Sequence, residues 1–159
     1  MRGNHNIIVL VHNNYLYSLT TGQYSPTTPQ KVKTKSTPAG SIEKPLHPIS
    51  LALANNATFI ARAYALEIDH LTKLVCQAID HSGFSLIDIL QPCVTLNKNQ
   101  TIDKWYKEKI YKLKNPFTNK SKAFQESLRE DKLAIGLFWQ EKKPAYHQQV
   151  KILFWKDFF

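Results

Sequence analysis

The chain opens on an unbroken apolar, β-branched run, Asn6-Ile7-Ile8-Val9-Leu10-Val11-His12, with turn-forming residues directly after it. A continuous run of strand length predicts a strand buried on both faces, as in a parallel sheet. From Asn13 to Ile49 the pattern dissolves: Gly22, Gly40, Pro26, Pro29, Pro38, Pro45, Pro48 and many serines and threonines break any periodicity. Loops of that length inside a compact domain are uncommon and usually functional or disordered. Ser50 is the predicted N-cap of a short helix from Leu51 to Asn56, and Thr58 to Ala63 reads as a strand. Ile68, Leu71, Leu74, Val75, Ala78 and Ile79 then fall on one helical face. Cys76 lies off that stripe, an ordinary helix thiol. Gly83 stops the helix, Phe84 to Leu90 returns as a strand, and Pro92-Cys93 follow at once.

Beyond residue 97 the pattern predicts a helix from Ile102 to Leu113, a loop, and a short helix from Ala123 to Glu130. A last strand runs from Leu133 to Trp139. The aromatic end from Lys151 to Phe159 has no clear periodicity. The order strand, long loop, helix, strand, helix, strand argues for an α/β fold with a mainly parallel sheet.

Composition narrows this further. With 159 residues, 43% apolar and 21% charged, the chain suits one domain with a modest core. Collagen, low-complexity disorder and a disulfide scaffold are excluded, and two cysteines, Cys76 and Cys93, make no zinc ribbon. The longest apolar run, Ile7 to Val11, is far too short to span a bilayer. Met1-Arg2 leads into it without a signal-peptide pattern, so a cytoplasmic protein without a membrane partner is expected.

Charge is uneven. Residues 1–97 carry seven Lys/Arg against five Asp/Glu, whereas residues 98–159 carry fourteen against seven. The second segment therefore attracts an acidic partner. Lys104, Lys107, Lys109, Lys112 and Lys114, interleaved with Trp105, Tyr106 and Tyr111, have the make-up of a nucleic-acid surface. A solvated helix face explains them more simply, and a nucleic-acid partner is not expected. The six histidines, among them His5 and His12 at the ends of the first strand, show no metal-ligand spacing.

The chemistry-bearing stretch is Asn13 to Thr28. In open α/β sheets ligands bind beyond the carboxyl ends of the strands, where this loop begins. Its amide and hydroxyl oxygens suit a hard cation such as Mg²⁺. Its donors suit phosphate oxygens, with Gly22 allowing close backbone approach. A polar loop that satisfies only its own backbone has the same composition.

The literal residues carry a resemblance. Arg2-Gly3-Asn4, the apolar run Ile7 to Val11, Asn13-Asn14, Tyr17-Ser18-Leu19-Thr20, Gly22-Gln23 and Ser25-Pro26-Thr27-Thr28 resemble the β subunit of the 2-oxoacid:ferredoxin oxidoreductases. These are thiamine diphosphate enzymes that include the pyruvate and 2-oxoglutarate forms. Phe59-Ile60-Ala61-Arg62, Gly83-Phe84-Ser85, Leu90-Gln91-Pro92-Cys93 and Ile135-Gly136-Leu137-Phe138 extend the likeness. It is continuous over residues 2–97 and thins out beyond. On this basis residues 1–97 are expected to be the C-terminal part of a thiamine diphosphate-binding domain, and 98–159 a basic C-terminal region of the β subunit.

The resemblance implies residue roles. Asn14 gives its side-chain oxygen, and Leu16 its backbone carbonyl, to Mg²⁺. Thr20 hydrogen-bonds the diphosphate. Leu19 lies beside the thiazolium and the substrate, the position nearest the catalysis. Cys93 is the last of four cysteines around a [4Fe–4S] cluster, the usual thiolate ligation. The implied reaction is oxidative decarboxylation of a 2-oxoacid to acyl-CoA with electrons passed to ferredoxin. Its partners are an α subunit, ferredoxin, the 2-oxoacid and coenzyme A.

The departures matter as much. The family's Gly-Asp-Gly segment with its Mg²⁺ aspartate, and three further cluster cysteines, have no counterpart here. Gly3 and Thr21 stand where the family usually has Arg and Lys or Gly. The chain thus reads as a partial thiamine diphosphate-binding fold whose N-terminal part is missing, inactive on its own. Two function classes follow: an oxidoreductase subunit or fragment, or an inactive remnant that serves as a basic α/β binding module.

Overall fold

A computed structural model describes residues 1–93, 95 and 103–156. The elements in chain order are β1 (Ile7–Asn13), β2 (Leu16–Tyr17), β3 (Gln23–Tyr24), α1 (Pro48–Ala54), β4 (Phe59–Tyr64) and α2 (Ile68–Asp80). They continue with β5 (Phe84–Leu90), α3 (Asp103–Lys109), β6 (Ile110–Lys112), α4 (Lys120–Ser127), β7 (Leu133–Gln140) and α5 (Tyr146–Lys156). One five-stranded sheet has the order β1-β5-β4-β7-β6, and β2 and β3 form a separate hairpin. β1, β5 and β4 are mutually parallel; β7 runs antiparallel to β4, and β6 is parallel to β7. The predicted α/β fold with a mainly parallel sheet is present.

Each residue of β4 and β5 is buried. On one face Phe59, Ala61, Ala63, Ile87 and Ile89 pack with Leu74 and Ala78 of α2. On the other, Ile60 and Leu86 join Ile49, Ala52 and Leu53 of α1, Ala123 of α4 and Phe138 of β7. Full burial of each large aliphatic chain contributes roughly 1.5–3 kcal/mol over leaving it in water.

The N-terminus is tied into this core by Asn4, buried at φ 50°. Its Oδ1 accepts from Thr58 Oγ1 (2.7 Å) and from the Phe84 N–H (2.9 Å), while Nδ2 donates to the Pro144 carbonyl (3.0 Å). Gly83, at φ 126°, leaves the room: a Cβ there would lie 2.7 Å from Thr58 Oγ1 and overlap Asn4 Oδ1.

Several sequence expectations are corrected. β1 is not buried on both faces. It is an edge strand with β5 on one side, and Ile7, Ile8 and Leu10 are 50%, 39% and 42% exposed. Helix α1 begins at Pro48, so Ser50 is no N-cap. Proline's fixed φ and absent N–H suit the first helical turn, and Ser50 Oγ instead donates to the His47 carbonyl at 2.9 Å. On α2 the buried stripe is narrower than predicted, since Ile68 and Ile79 point into solvent. The helix expected over 102–113 is described from Asp103 and ends at Lys109. Ile110-Tyr111-Lys112 pair with β7 instead, because β-branched and aromatic residues beside an open strand favour the ladder. Helix α4 starts earlier than expected, at Lys120, where Asn119 Oδ1 accepts the Lys122 N–H at 3.1 Å. The long loop contains the β2–β3 hairpin, and the chain from Tyr146 to Lys156 is helical. Among the described residues no helix is long and apolar enough to cross a membrane.

Candidate functional site

The parallel strands end together: Asn13 of β1 and Tyr64 of β4 both stand opposite Leu90 of β5. Two loops leave from this edge and are pinned to each other. The Gln91 N–H donates to the Asn13 carbonyl at 2.9 Å, and Gln91 Oε1 meets His12 Nδ1 at 2.9 Å.

The first loop is bent by its own side chains. Tyr15 sits at φ 61°, sparsely populated for an aromatic residue. Asn13 Oδ1 accepts the Tyr15 N–H (3.2 Å), Asn14 Oδ1 accepts the Leu16 N–H (3.0 Å), and Thr28 Oγ1 donates to the Tyr15 carbonyl (2.5 Å). Thr28 Oγ1 also accepts the Ser25 N–H at 2.8 Å, and Thr27 Oγ1 donates to Asn13 Oδ1 at 2.7 Å. The Ser25-Pro26-Thr27-Thr28 motif is therefore a brace for the Tyr15 bend.

The predicted site residues are placed unequally. Asn14 Nδ2 donates to Ser18 Oγ at 2.6 Å, and the Ser18 hydroxyl donates to Cys93 Sγ at 3.4 Å. Asn14 and Cys93, 79 positions apart in sequence, are thus joined through one hydroxyl. Leu16 is buried at the start of β2. Leu19 and Thr20 stand at the hairpin tip; Leu19 is 99% exposed, and Thr20 Oγ1 donates to Gln23 Oε1 at 2.7 Å. The tip closes through Thr21 N–H to Ser18 carbonyl (3.0 Å) and Gly22 N–H to Tyr17 carbonyl (2.9 Å), with Thr21 at φ 80° and Gly22 at φ 95°.

These donors fit the implied groups as contributors. Asn14 Oδ1 and the Leu16 carbonyl are hard oxygen ligands of the kind Mg²⁺ takes. Cys93 brings one thiol to the same corner, and Cys76, the other cysteine, is exposed on α2. Among the described residues no group of three or more His, Cys, Asp or Glu could hold a metal alone.

Sequence reasoning gave no role to three neighbours of the site. Ser18 is the bridge just described. Arg62 and Asp88 face each other across β4 and β5, with Arg62 Nε 2.9 Å from Asp88 Oδ2, and both are buried. Asp88 Oδ1 accepts from Asn13 Nδ2 at 3.2 Å, which ties the pair to the loop. A single opposite charge in each of two apolar strands is the signal that would have found them.

The predicted lysine face is dispersed. Lys107 and Lys109 belong to α3, Lys112 to β6, and Lys114 to the following loop. Lys109 Nζ lies 4.6 Å from the Trp105 ring centroid and donates to the Glu130 carbonyl at 2.8 Å, and Lys112 pairs with Glu67.

A braced polar loop at the carboxyl end of the first of three parallel strands defines a cofactor-binding α/β domain. The model of the thiamine pyrophosphate enzyme C-terminal TPP-binding domain matches residues 1–89. The model of the C-terminal region of the pyruvate ferredoxin oxidoreductase β chain matches residues 93–154. The chain belongs to the thiamine pyrophosphate enzyme family, in the form found in the β subunits of 2-oxoacid:ferredoxin oxidoreductases.

Among its relatives, the β subunit of a Sulfolobus 2-oxoacid:ferredoxin oxidoreductase is 38% identical over 165 residues, covering 94% of this chain and 54% of that protein. The β subunit of the first 2-oxoacid:ferredoxin oxidoreductase of Aeropyrum pernix is 46% identical over 114 residues, covering 72% of this chain and 36% of that protein. The solved 2-oxoglutarate:ferredoxin oxidoreductase from Magnetococcus marinus, with 2-oxoglutarate, coenzyme A and succinyl-CoA bound, superposes with a TM-score of 0.90 at 28% identity. The match covers 98% of this chain and 54% of that one. The chain spans about half the length of the curated relatives it matches.

Proposed function

We propose that this chain serves, in a larger cytoplasmic assembly, as the thiamine diphosphate-binding part of a β subunit that oxidatively decarboxylates a 2-oxoacid to acyl-CoA. Ferredoxin takes the electrons, and the site is completed by an α subunit. Residues 1–97 carry the cofactor half, and residues 98–159 form the basic C-terminal region. The observation that carries this reading is the Asn14–Ser18–Cys93 chain of hydrogen bonds, which supports a cation ligand and a cluster ligand sharing one corner.

In this reading Asn14 Oδ1 and the Leu16 carbonyl hold Mg²⁺, and the remaining ligands come from outside these residues. The Thr20 hydroxyl exchanges Gln23 for a diphosphate oxygen. Leu19 offers an apolar surface beside the thiazolium and excludes water from it. Cys93 supplies one thiolate to a [4Fe–4S] cluster, and Ser18 donates a hydrogen bond to its sulfur. When bound, thiamine diphosphate supplies the electron sink for decarboxylation. With two Mg²⁺ oxygens and one cluster thiol of its own, the isolated chain has no turnover.

The test is the cofactor content of the complex purified through this chain. Asn14→Ala is expected to lower bound thiamine diphosphate about 10–100-fold while leaving iron unchanged. Cys93→Ser is expected to lose cluster absorbance and keep the cofactor. Unchanged contents in both variants would overturn the assignment, and 2-oxoacid-dependent reduction of ferredoxin by the isolated chain would overturn its predicted inactivity.

A further inference from the structure

Behind the first loop, Asn13, Arg62 and Asp88 are all buried, at 5%, 4% and 1% exposure. They come from three neighbouring parallel strands, β1, β4 and β5, and only Asn13 belongs to the strand that runs into the loop. Together they form one line of hydrogen bonds. Arg62 Nε donates to Asp88 Oδ2 at 2.9 Å, and Asn13 Nδ2 donates to Asp88 Oδ1 at 3.2 Å. A carboxylate paired with a guanidinium has only acceptors to offer its next neighbour. It therefore takes the NH₂ end of the Asn13 amide and turns the carbonyl end toward the loop. There Asn13 Oδ1 accepts from Thr27 Oγ1 at 2.7 Å and from the Tyr15 N–H at 3.2 Å.

The direction of that amide matters because of what it holds. Tyr15 sits at φ 61°, a conformation that persists in a bulky residue only when its surroundings over-determine it. Asn13 Oδ1 fixes the N–H side of the bend, and Thr28 Oγ1 fixes the carbonyl side at 2.5 Å. Asn14 and Leu16 flank Tyr15 directly, so the bend sets how the Asn14 side chain and the Leu16 carbonyl lie toward each other. Turned the other way, the Asn13 amide would set donor against donor at Tyr15 and acceptor against acceptor at Asp88.

We propose that Arg62 and Asp88 are positioning residues for the cation site: by fixing the Asn13 amide they hold the Tyr15 bend, and through it the two oxygens that meet Mg²⁺. This role rests on the reading in which Asn14 Oδ1 and the Leu16 carbonyl are Mg²⁺ ligands. Groups that orient metal ligands carry about 10–100-fold of metal affinity. Mg²⁺ demands near-ideal octahedral placement of its oxygens, whereas Ca²⁺ accepts irregular placement. A loosened bend therefore weakens Mg²⁺ selectively.

The experiment titrates thiamine diphosphate binding to the complex purified through this chain and stripped of cofactor, against Mg²⁺ and separately against Ca²⁺. Two variants break the line from opposite ends. Arg62→Met with Asp88→Leu removes the acceptor and replaces the buried pair by apolar groups, a change often neutral for stability. Asn13→Ala removes the amide and keeps the pair. Each should raise the half-saturating Mg²⁺ concentration about 10–100-fold, and the half-saturating Ca²⁺ concentration by no more than about threefold. Parental Mg²⁺ half-saturation in either assembled variant overturns the proposal. So does an equal weakening for both ions, which is what general loosening of the fold produces. Should the double variant fail to assemble, Asn13→Ala decides alone. Asn14→Ala separates the two levels. If its Mg²⁺ half-saturation is unchanged, the cation reading fails and the positioning role falls with it. If it rises while the other variants match the parent, the positioning role alone fails.

Discussion

Leu10 and Ile87 stand on one rung of the sheet, paired across β1 and β5, yet Leu10 is 42% exposed and Ile87 fully buried. The two strands read alike as sequence, Ile-Ile-Val-Leu-Val against Phe-Ser-Leu-Ile-Asp-Ile-Leu. Neighbours separate them. β5 has β1 on one side and β4 on the other, with α1 and α2 over its two faces, whereas β1 has β5 as its one strand neighbour among the described residues and reaches the core only through Val9 and Val11. An apolar run thus reports that a strand is built to be covered, not that this chain covers it.

The charged rung beneath Leu10 sharpens the contrast most. Val11 of β1 pairs with Asp88, which pairs in turn with Arg62 of β4. Asp88→Ala strands the buried guanidinium and should cost about 3–5 kcal/mol in urea unfolding. The double change Arg62→Met with Asp88→Leu should recover much of that loss, since replacing a whole buried pair by apolar groups is often neutral. If Asp88→Ala costs under about 1 kcal/mol, water is reaching this rung and β5 is less sealed than its burial implies.

Next in size is Asn4→Ala at the start of β1. It leaves the Phe84 N–H and the Pro144 carbonyl without their side-chain partner and should cost about 1–3 kcal/mol. Hydrogen exchange should then quicken at Phe84 and Tyr146, both of which bond to Asn4, and leave the far end of β5 unchanged.

How far the fold was legible follows the same division. Phe84 to Leu90 emerged from the sequence with its observed bounds, because five of its seven residues are apolar and Gly83 and Pro92 punctuate its two ends. The exposure of β1 was not legible, since it depends on what lies beside the strand. The turn from α3 into β6 was missed because Ile110 to Lys112 has no period of its own and follows the ladder offered by β7. In the site, composition located the loop and its cation-type oxygens. The Ser18 link to Cys93 spans 75 positions and no local pattern encodes it. The Arg62–Asp88 pair was written in the sequence as one opposite charge per apolar strand, a pattern visible once the two strands are set side by side.

At the other edge of the sheet, β6 offers a smaller effect. Tyr111 Oη donates to Glu126 Oε1 at 2.5 Å, and burial with this carboxylate raises the phenol to about 12 from its ordinary 10. The folded state therefore holds the proton more tightly. The stabilisation is complete below pH 10 and is lost as pH rises toward 12. Discounted for solvent screening, the loss amounts to about 1 kcal/mol. Urea midpoints measured between pH 9 and 12 should show this fall, and Tyr111→Phe should flatten it.

The smallest expected change sits on the rung where the comparison began. Leu10→Thr puts a β-branched strand former at an open position, so the isolated chain should change by no more than about 0.5 kcal/mol. Ile87→Ala, one strand inward, should cost about 2–5 kcal/mol. The open edge has a second consequence, because an exposed apolar strand is a template for pairing with other copies. Leu10→Thr should therefore lower self-association in sedimentation at unchanged stability. A loss above about 1.5 kcal/mol from Leu10→Thr would mean that the chain covers β1 after all, and the division between the two strands would fall with it.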